Sequence, residues 1–152
     1  MPNFVDLGPA DAGDLARLLT GDAPEYGRYF VPFPSNDANA LAARLGAARQ
    51  DRYWGMREHD ALVGFFMLRG FDEGYARPSF GVYVARAAAG QGLARRALAH
   101  AIDWCVRHDV ARIMLKVHPD NAPALKAYRA AGFEPFDTCP RTGHIMMQKE
   151  LR

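Results

Sequence analysis

Two stretches carry residue types at spacings that could do chemistry. The first is AAAGQGLARRAL, residues 87–98, where Gly90 and Gly92 stand between an apolar strand-like run and a helix-like one. A strand that turns on glycines into a helix leaves several backbone N–H groups unpaired and aimed one way. The helix dipole adds partial positive charge there, so phosphate is the natural guest. The second is HPDNAPALKAYRAAGFEPF, residues 118–136. On a helix beginning near Asn121, positions 121, 124 and 128 fall at i, i+3 and i+7, so Asn121, Ala124 and Tyr128 share one face. A carboxamide and a phenol on that face could meet a ligand lying beside it.

Taken alone, the glycine turn is ambiguous. A P-loop needs Gly-Lys-Ser/Thr, and this turn has neither Lys nor hydroxyl, which excludes it. A dinucleotide fingerprint, GxGxxG, needs glycine at position 95, where Arg95 stands, and an acidic residue about 20 positions on after a second strand. A tight strand–helix turn that holds no ligand also fits. Arg95 and Arg96, in the first helical turn, could add charge for a further phosphate.

The elements that must position these residues follow from periodicity. NFVDL reads as a strand, and PADAGDLARLLTG as a helix opened by Pro and closed by Gly. DAPEYGRYFVPFPSND has no period and reads as an ordered loop, with ANALAARLGAARQ a helix after it. RYWGMREHDALVGFFMLRG predicts two antiparallel strands around an EHD turn, and SFGVYVA a third. A helix is expected over 93–107, with Ala94, Leu98, Ala101 and Cys105 on its buried stripe. ARIMLKVH alternates as a strand, with Ile113, Leu115 and Val117 on one face. A short helix ending at Gly132 and two closing strands, FEPFDTC and HIMMQKEL, complete the chain. The strand–helix–strand run around 79–117 implies a parallel pair of strands inside an otherwise extended centre.

Composition narrows the function classes. The chain has 152 residues, 49% hydrophobic and 24% charged, which suits one globular domain spanning 1–152. Nineteen Lys and Arg against seventeen Asp and Glu give a net charge of +2, with no basic block, so nucleic acid is not an expected partner. No run approaches the ~20 apolar residues of a membrane span, and the first residues lack a signal-peptide layout. A cytoplasmic protein is expected. Two cysteines far apart suggest neither a CxxC site nor a disulfide scaffold. The five histidines show no paired ligand spacing, so no metal is expected.

GQGLA followed about 30 residues later by NxxAxxxYxxxGF resembles the GNAT superfamily of acyl-CoA-dependent N-acyltransferases. The family pattern Gln/Arg-x-x-Gly-x-Gly/Ala falls on Ala89 to Ala94: Gly92 and Ala94 match, and Ala89 departs at the Gln/Arg position. The resemblance covers about residues 50–137. It implies an α/β (α+β) GNAT fold: a mixed, mostly antiparallel sheet of about seven strands with a splayed parallel pair, flanked by about four helices. It implies acetyl-CoA as co-substrate, its pantetheine lying between FGVYV and MLKVH and pairing with the backbone of Val82, Tyr83 and Val84. The N–H groups of Gly90, Gln91, Gly92, Leu93, Ala94 and Arg95 would hold the pyrophosphate, with Ala89 beside them at the cofactor. Asn121 would bond the cofactor near the pantetheine, and Tyr128 would protonate the departing sulfur as general acid.

The general base is less marked. Where some members carry Glu, five residues before the Asn, this chain has Lys116. The loop LRGFDEGYARPS offers Glu73 first and Asp72 next, with His118 a third candidate. The acceptor, a primary amine on a small molecule such as an amino sugar or on a peptide, would meet Tyr29, Asp72 and Tyr75. Of the loop aromatics Tyr26, Tyr29, Phe30 and Phe33, Phe30 and Phe33 are expected to plug the sheet. The resemblance also makes a homodimer an expectation, with GHIMMQKEL taking part. A non-catalytic module of the same fold that senses acyl-CoA is the alternative.

Overall fold

The computed structural model describes residues 1–28 and 30–152. Seven strands form one open sheet: β1 (Asn3–Asp6), β2 (Arg52–Glu58), β3 (Ala61–Arg69), β4 (Ser79–Val84), β5 (Arg112–Val117), β6 (Glu134–Thr138) and β7 (Ile145–Glu150). Their order is β1-β2-β3-β4-β5-β7-β6, with β4 and β5 parallel and the other pairs antiparallel. Four helices cover its faces: α1 (Ala12–Thr20), α2 (Ala38–Ala47), α3 (Leu93–Arg107) and α4 (Ala122–Ala130). This is the mixed sheet with one parallel pair that the resemblance implied.

The β2–β3 hairpin turns on His59 and Asp60, both with positive φ (51° and 70°). Such turns match the right-handed twist of the flanking strands. β3 lies inside the sheet and is covered on both faces, which explains why GFFML is a continuous apolar run rather than an alternating one. Phe65 and Phe66, both fully buried, point into different cores. Phe66, Leu68, Ile113 and Leu115 pack with α3, whereas Leu15, Leu41 and Phe33 pack with Phe65 under α1 and α2. Each fully buried Leu or Phe side chain contributes about 1.5–3 kcal/mol by leaving water.

Two local expectations shift. The stripe of α3 runs through Leu93, Ala97, Leu98, Ala101 and Cys105, and Ala94 is exposed. Leu93, Ala97, Ala101 and Cys105 recur every four residues and carry the buried face, and Ala94 lies one position beyond it. The helix expected over ANALAARLGAARQ stops at Ala47, and Ala48 is already extended. The Asp72 carboxylate accepts hydrogen bonds from the N–H groups of Arg49 (3.0 Å), Gln50 (2.7 Å) and Asp51 (3.3 Å), drawing that segment away from helical geometry. No helix among the described residues is long and apolar enough to cross a membrane.

Candidate active site

The site begins where β4 and β5 part. Their pairing is confined to Ser79↔Met114 and Phe80↔Leu115. Two bonds fix which way the β4 backbone faces. The Met114 N–H donates to the Pro78 carbonyl at 3.0 Å, so even-numbered positions face β5. The Ala85 N–H donates to the Val63 carbonyl at 2.8 Å, so odd-numbered positions face β3. In an antiparallel ladder opposed residues alternate between hydrogen-bonded and non-bonded pairs. The main-chain groups of Val82 and Val84 therefore face the gap left by β5, an open strand edge that an amide-bearing ligand can join. Tyr83 does not share this edge: its backbone pairs with Phe65, and its hydroxyl donates to Asp22 at 2.6 Å on the opposite face. The expectation for Tyr83 is corrected by the two-residue alternation of the strand. Burial and the Asp22 carboxylate push its phenol well above the usual tyrosine range.

Beyond Val84 a 3-10 turn (Arg86–Ala88) leads into the glycine turn. Gly90 and Gly92 have φ of +81° and +76°, in the left-handed region that L side chains rarely adopt, and a Cβ on either would meet nothing within 4 Å. Gly92 is the N-cap of α3 and has no side chain to satisfy the first-turn N–H groups. Open space and uncapped N–H groups at a helix start form an anion cradle. It borders a cavity of about 320 Å³ lined by Val82, Val84, Gly90, Gly92, Ala94 and Arg95, with Ala89 and Leu93 also in its wall. Gln91 sits exposed between the glycines.

At the other end, α4 presents its predicted face. Asn121 is the N-cap, accepting from the Ala124 N–H at 3.3 Å, which leaves its NH₂ as the group it can offer a ligand. Gly132, φ +95°, ends the segment and lets the Phe133 N–H reach back to the Tyr128 carbonyl at 3.0 Å. The buried Phe133 ring meets Tyr128 edge-on at 5.9 Å. Tyr128 is thus held from behind by the GF pair, and burial raises its phenol pKa. Asn121, Ala124 and Tyr128 line a slot of about 120 Å³ together with Val82, Lys116 and His118. Val82 lines both cavities, so a chain-like ligand can run from the glycine turn along β4 to the Tyr128 phenol.

Glu73, Asp72 and Tyr75, proposed as base and acceptor residues, are not gathered there. Glu73 and Asp72 stand on the 3-10 turn Phe71–Glu73, lining a separate cavity with Asp51 and Tyr53. None of that cavity's residues lines the slot. Asp72 holds the Arg49–Asp51 backbone, whose N–H groups keep its carboxyl below the usual carboxylate range. Tyr75 is 61% exposed on the same connection. Tyr29 lies outside the described residues. Phe33 is buried, as a plug should be, but Phe30 also lines the slot. Of the three base candidates only His118 reaches the slot, and its Nδ1 accepts the Asp120 N–H at 3.1 Å. Sequence reasoning named Tyr26 among the loop aromatics but not the bond its hydroxyl donates to the Val84 carbonyl at 2.7 Å, and it missed Asp22, which accepts from Tyr83 and from the Arg86 N–H. Both sit in the aperiodic loop, where no spacing rule marks a contact to a distant strand. No group of His, Cys, Asp and Glu among the described residues could hold a metal ion.

Residues 16–133 match the Acetyltransferase (GNAT) family. The chain belongs to that family. Over 78 residues, 47% of the chain, it is 41% identical to the mycothiol acetyltransferase of Corynebacterium kroppenstedtii, and this match spans 22% of that relative's length. Among solved structures, this GNAT chain is similar to the PaiA N-acetyltransferase of Thermoplasma acidophilum in complex with coenzyme A (TM-score 0.80, 15% identity, 99% of each chain). It is also similar to YncA of Salmonella typhimurium with acetyl-CoA (TM-score 0.81, 19% identity, 100% of this chain and 95% of the other). At such identities the likeness is one of fold.

Proposed function

We propose that this chain transfers an acetyl group from acetyl-CoA to a primary amine on a small molecule or peptide by direct attack. One observation carries the reading: the cavity at the glycine turn and the slot at Tyr128 meet at Val82, along the open edge of β4. The N–H groups of residues 90–95 would hold the pyrophosphate, Val82 and Val84 would pair with the pantetheine amides, and the Asn121 NH₂ would donate to the same arm. The neutral amine nitrogen bonds the thioester carbon, and the developing oxyanion takes a hydrogen bond from a β4 N–H. Val82, common to both cavities, is better placed for this than Val84. The carbon–sulfur bond then breaks, Tyr128 gives its proton to the sulfur, and the amine nitrogen gives one to water, from which the phenolate is reprotonated. Burial suits Tyr128 to this, because a raised pKa keeps the phenol protonated at neutral pH.

The sensor reading draws on a different observation: no carboxylate among the described residues lines the slot, and Lys116 stands where a Glu base would. Thiol release from acetyl-CoA across a panel of amines separates the two. Turnover in the wild type that collapses in Tyr128→Phe supports transfer. Tight CoA binding with no turnover on any amine supports the sensor. Equal turnover in both proteins removes Tyr128 from its role.

A further inference from the structure

We infer that Phe30 sets the length of the acyl group this site accepts, an inference that rests on the acyl-CoA reading above. The slot passes through the sheet where β4 and β5 part. Tyr128 stands on the α4 face, packed against the α3-side core, while Phe30 packs with the core under α1 and α2. An acyl chain entering along Val82 runs toward Phe80 and Leu115, where the two strands close again. Its remaining way out is across the sheet, and the phenyl ring of Phe30 stands there. Behind the ring lies a second cavity of about 110 Å³, lined by Leu19, Pro24, Gly27, Pro32 and Tyr83 among others. Among the described residues, Phe30 is the one that lines both this cavity and the slot, so its ring is the wall between them.

The wall is held in place by its neighbours. Its ring stacks on Tyr83 with centroids 6.4 Å apart and leans on Phe65 at 5.9 Å. Tyr83 is itself tied to Asp22. The Phe30 N–H donates to the Gly27 carbonyl at 2.9 Å, fixing the loop that carries the ring. Gly81 leaves space for this packing: a Cβ there would fall 3.0 Å from Phe30 Cε1 and 2.6 Å from Met67 Cε. A ring packed this way cannot swing aside without disturbing the α1–α2 side core. An acetyl group ends before the wall. Each further methylene presses on it, and one methylene in an apolar pocket is worth about 10–200-fold in discrimination.

The test is calorimetric and needs no acceptor. CoA, acetyl-CoA, propionyl-CoA and butyryl-CoA are titrated into the wild type, Phe30→Ala and Phe30→Leu. The wild type should bind propionyl-CoA about tenfold or more weakly than acetyl-CoA. Phe30→Ala should bring the two within about threefold by joining the slot to the cavity behind, with Phe30→Leu between them. CoA itself, which lacks an acyl group, should bind all three proteins alike. If Phe30→Ala fails to fold, the Leu variant still reads the ratio. CoA binding that survives with an unchanged acyl ratio overturns the role of Phe30 alone. A wild type that does not bind CoA at all overturns the functional reading and this inference with it.

Discussion

Replacing Gly92 by Ala isolates the backbone's part in the glycine turn. Gly92 has φ +76° and ψ 16°, and an added Cβ would touch nothing within 4 Å, so no steric clash contributes. The cost is conformational, about 1–2 kcal/mol for an L residue in the left-handed region. Relaxation cannot remove it cheaply. The Gly92 carbonyl accepts the Arg96 N–H at 3.0 Å, and Leu93 beside it is only 2% exposed. The strain should therefore appear as lost stability, lowering the melting temperature by about 2–8 °C for a chain of this size. Gly90, exposed and two residues earlier, is freer to relax, so Gly90→Ala should lose CoA affinity instead, by about 5–30-fold. Gly8→Ala is the control: φ is −126°, the space is equally open, and the change should stabilise by about 0.4–1 kcal/mol. Thermal denaturation and CoA calorimetry on the three variants give the answer. A Gly92→Ala protein that matches wild type in both measurements would refute the claim that left-handed glycines build the cradle.

Tyr128→Phe should lower kcat by about 10²–10⁴, with the Kd for CoA little changed in calorimetry. Because burial raises the Tyr128 pKa above the ordinary tyrosine value, any alkaline loss of kcat from this group should fall at higher pH than an ordinary phenol would give. A limb falling near pH 8 would count against it as the acid. Asp72→Ala should destabilise the fold by about 1 kcal/mol by releasing the Arg49–Asp51 backbone. Since those N–H groups lower its folded pKa, its contribution is complete above the ordinary Asp value near 4 and is lost as pH falls through the lower folded value, a trend that acid titration of wild type and variant can compare. Tyr26→Phe frees the Val84 carbonyl for a pantetheine amide and should tighten CoA binding by up to about tenfold. Weaker binding would mean that the hydroxyl itself contacts the ligand.

Local rules made much of this molecule legible in its sequence. Glycines between a strand and a helix, and Asn121, Ala124 and Tyr128 at helical spacing, identify groups that need only one turn of chain to be placed. Both reached the same groove because the strands before them are the adjacent parallel pair. What stayed hidden depends on long-range placement. Glu73 and Asp72 read as available carboxylates from their polar loop, yet Asp72 caps a segment more than twenty residues earlier, and Glu73 faces α2. Tyr83 looked equivalent to Val82 and Val84 because strand parity is set by partners, not by the run FGVYV itself. Tyr26 and Phe30 lie in a loop with no period, and only the fold shows that one bonds Val84 while the other walls the slot.

The central claim is that amides after β4 hold the diphosphate while the acyl end lies beside Tyr128. Backbone amide chemical-shift mapping of the ¹⁵N-labelled chain during a CoA titration tests it most directly. The largest shifts should fall on Gly90, Gln91, Gly92, Leu93, Ala94 and Arg95, with a second group at Val82, Val84 and Asn121. Shifts confined to the cavity bordered by Glu73 and Asp51, with residues 90–95 unmoved, would contradict the account.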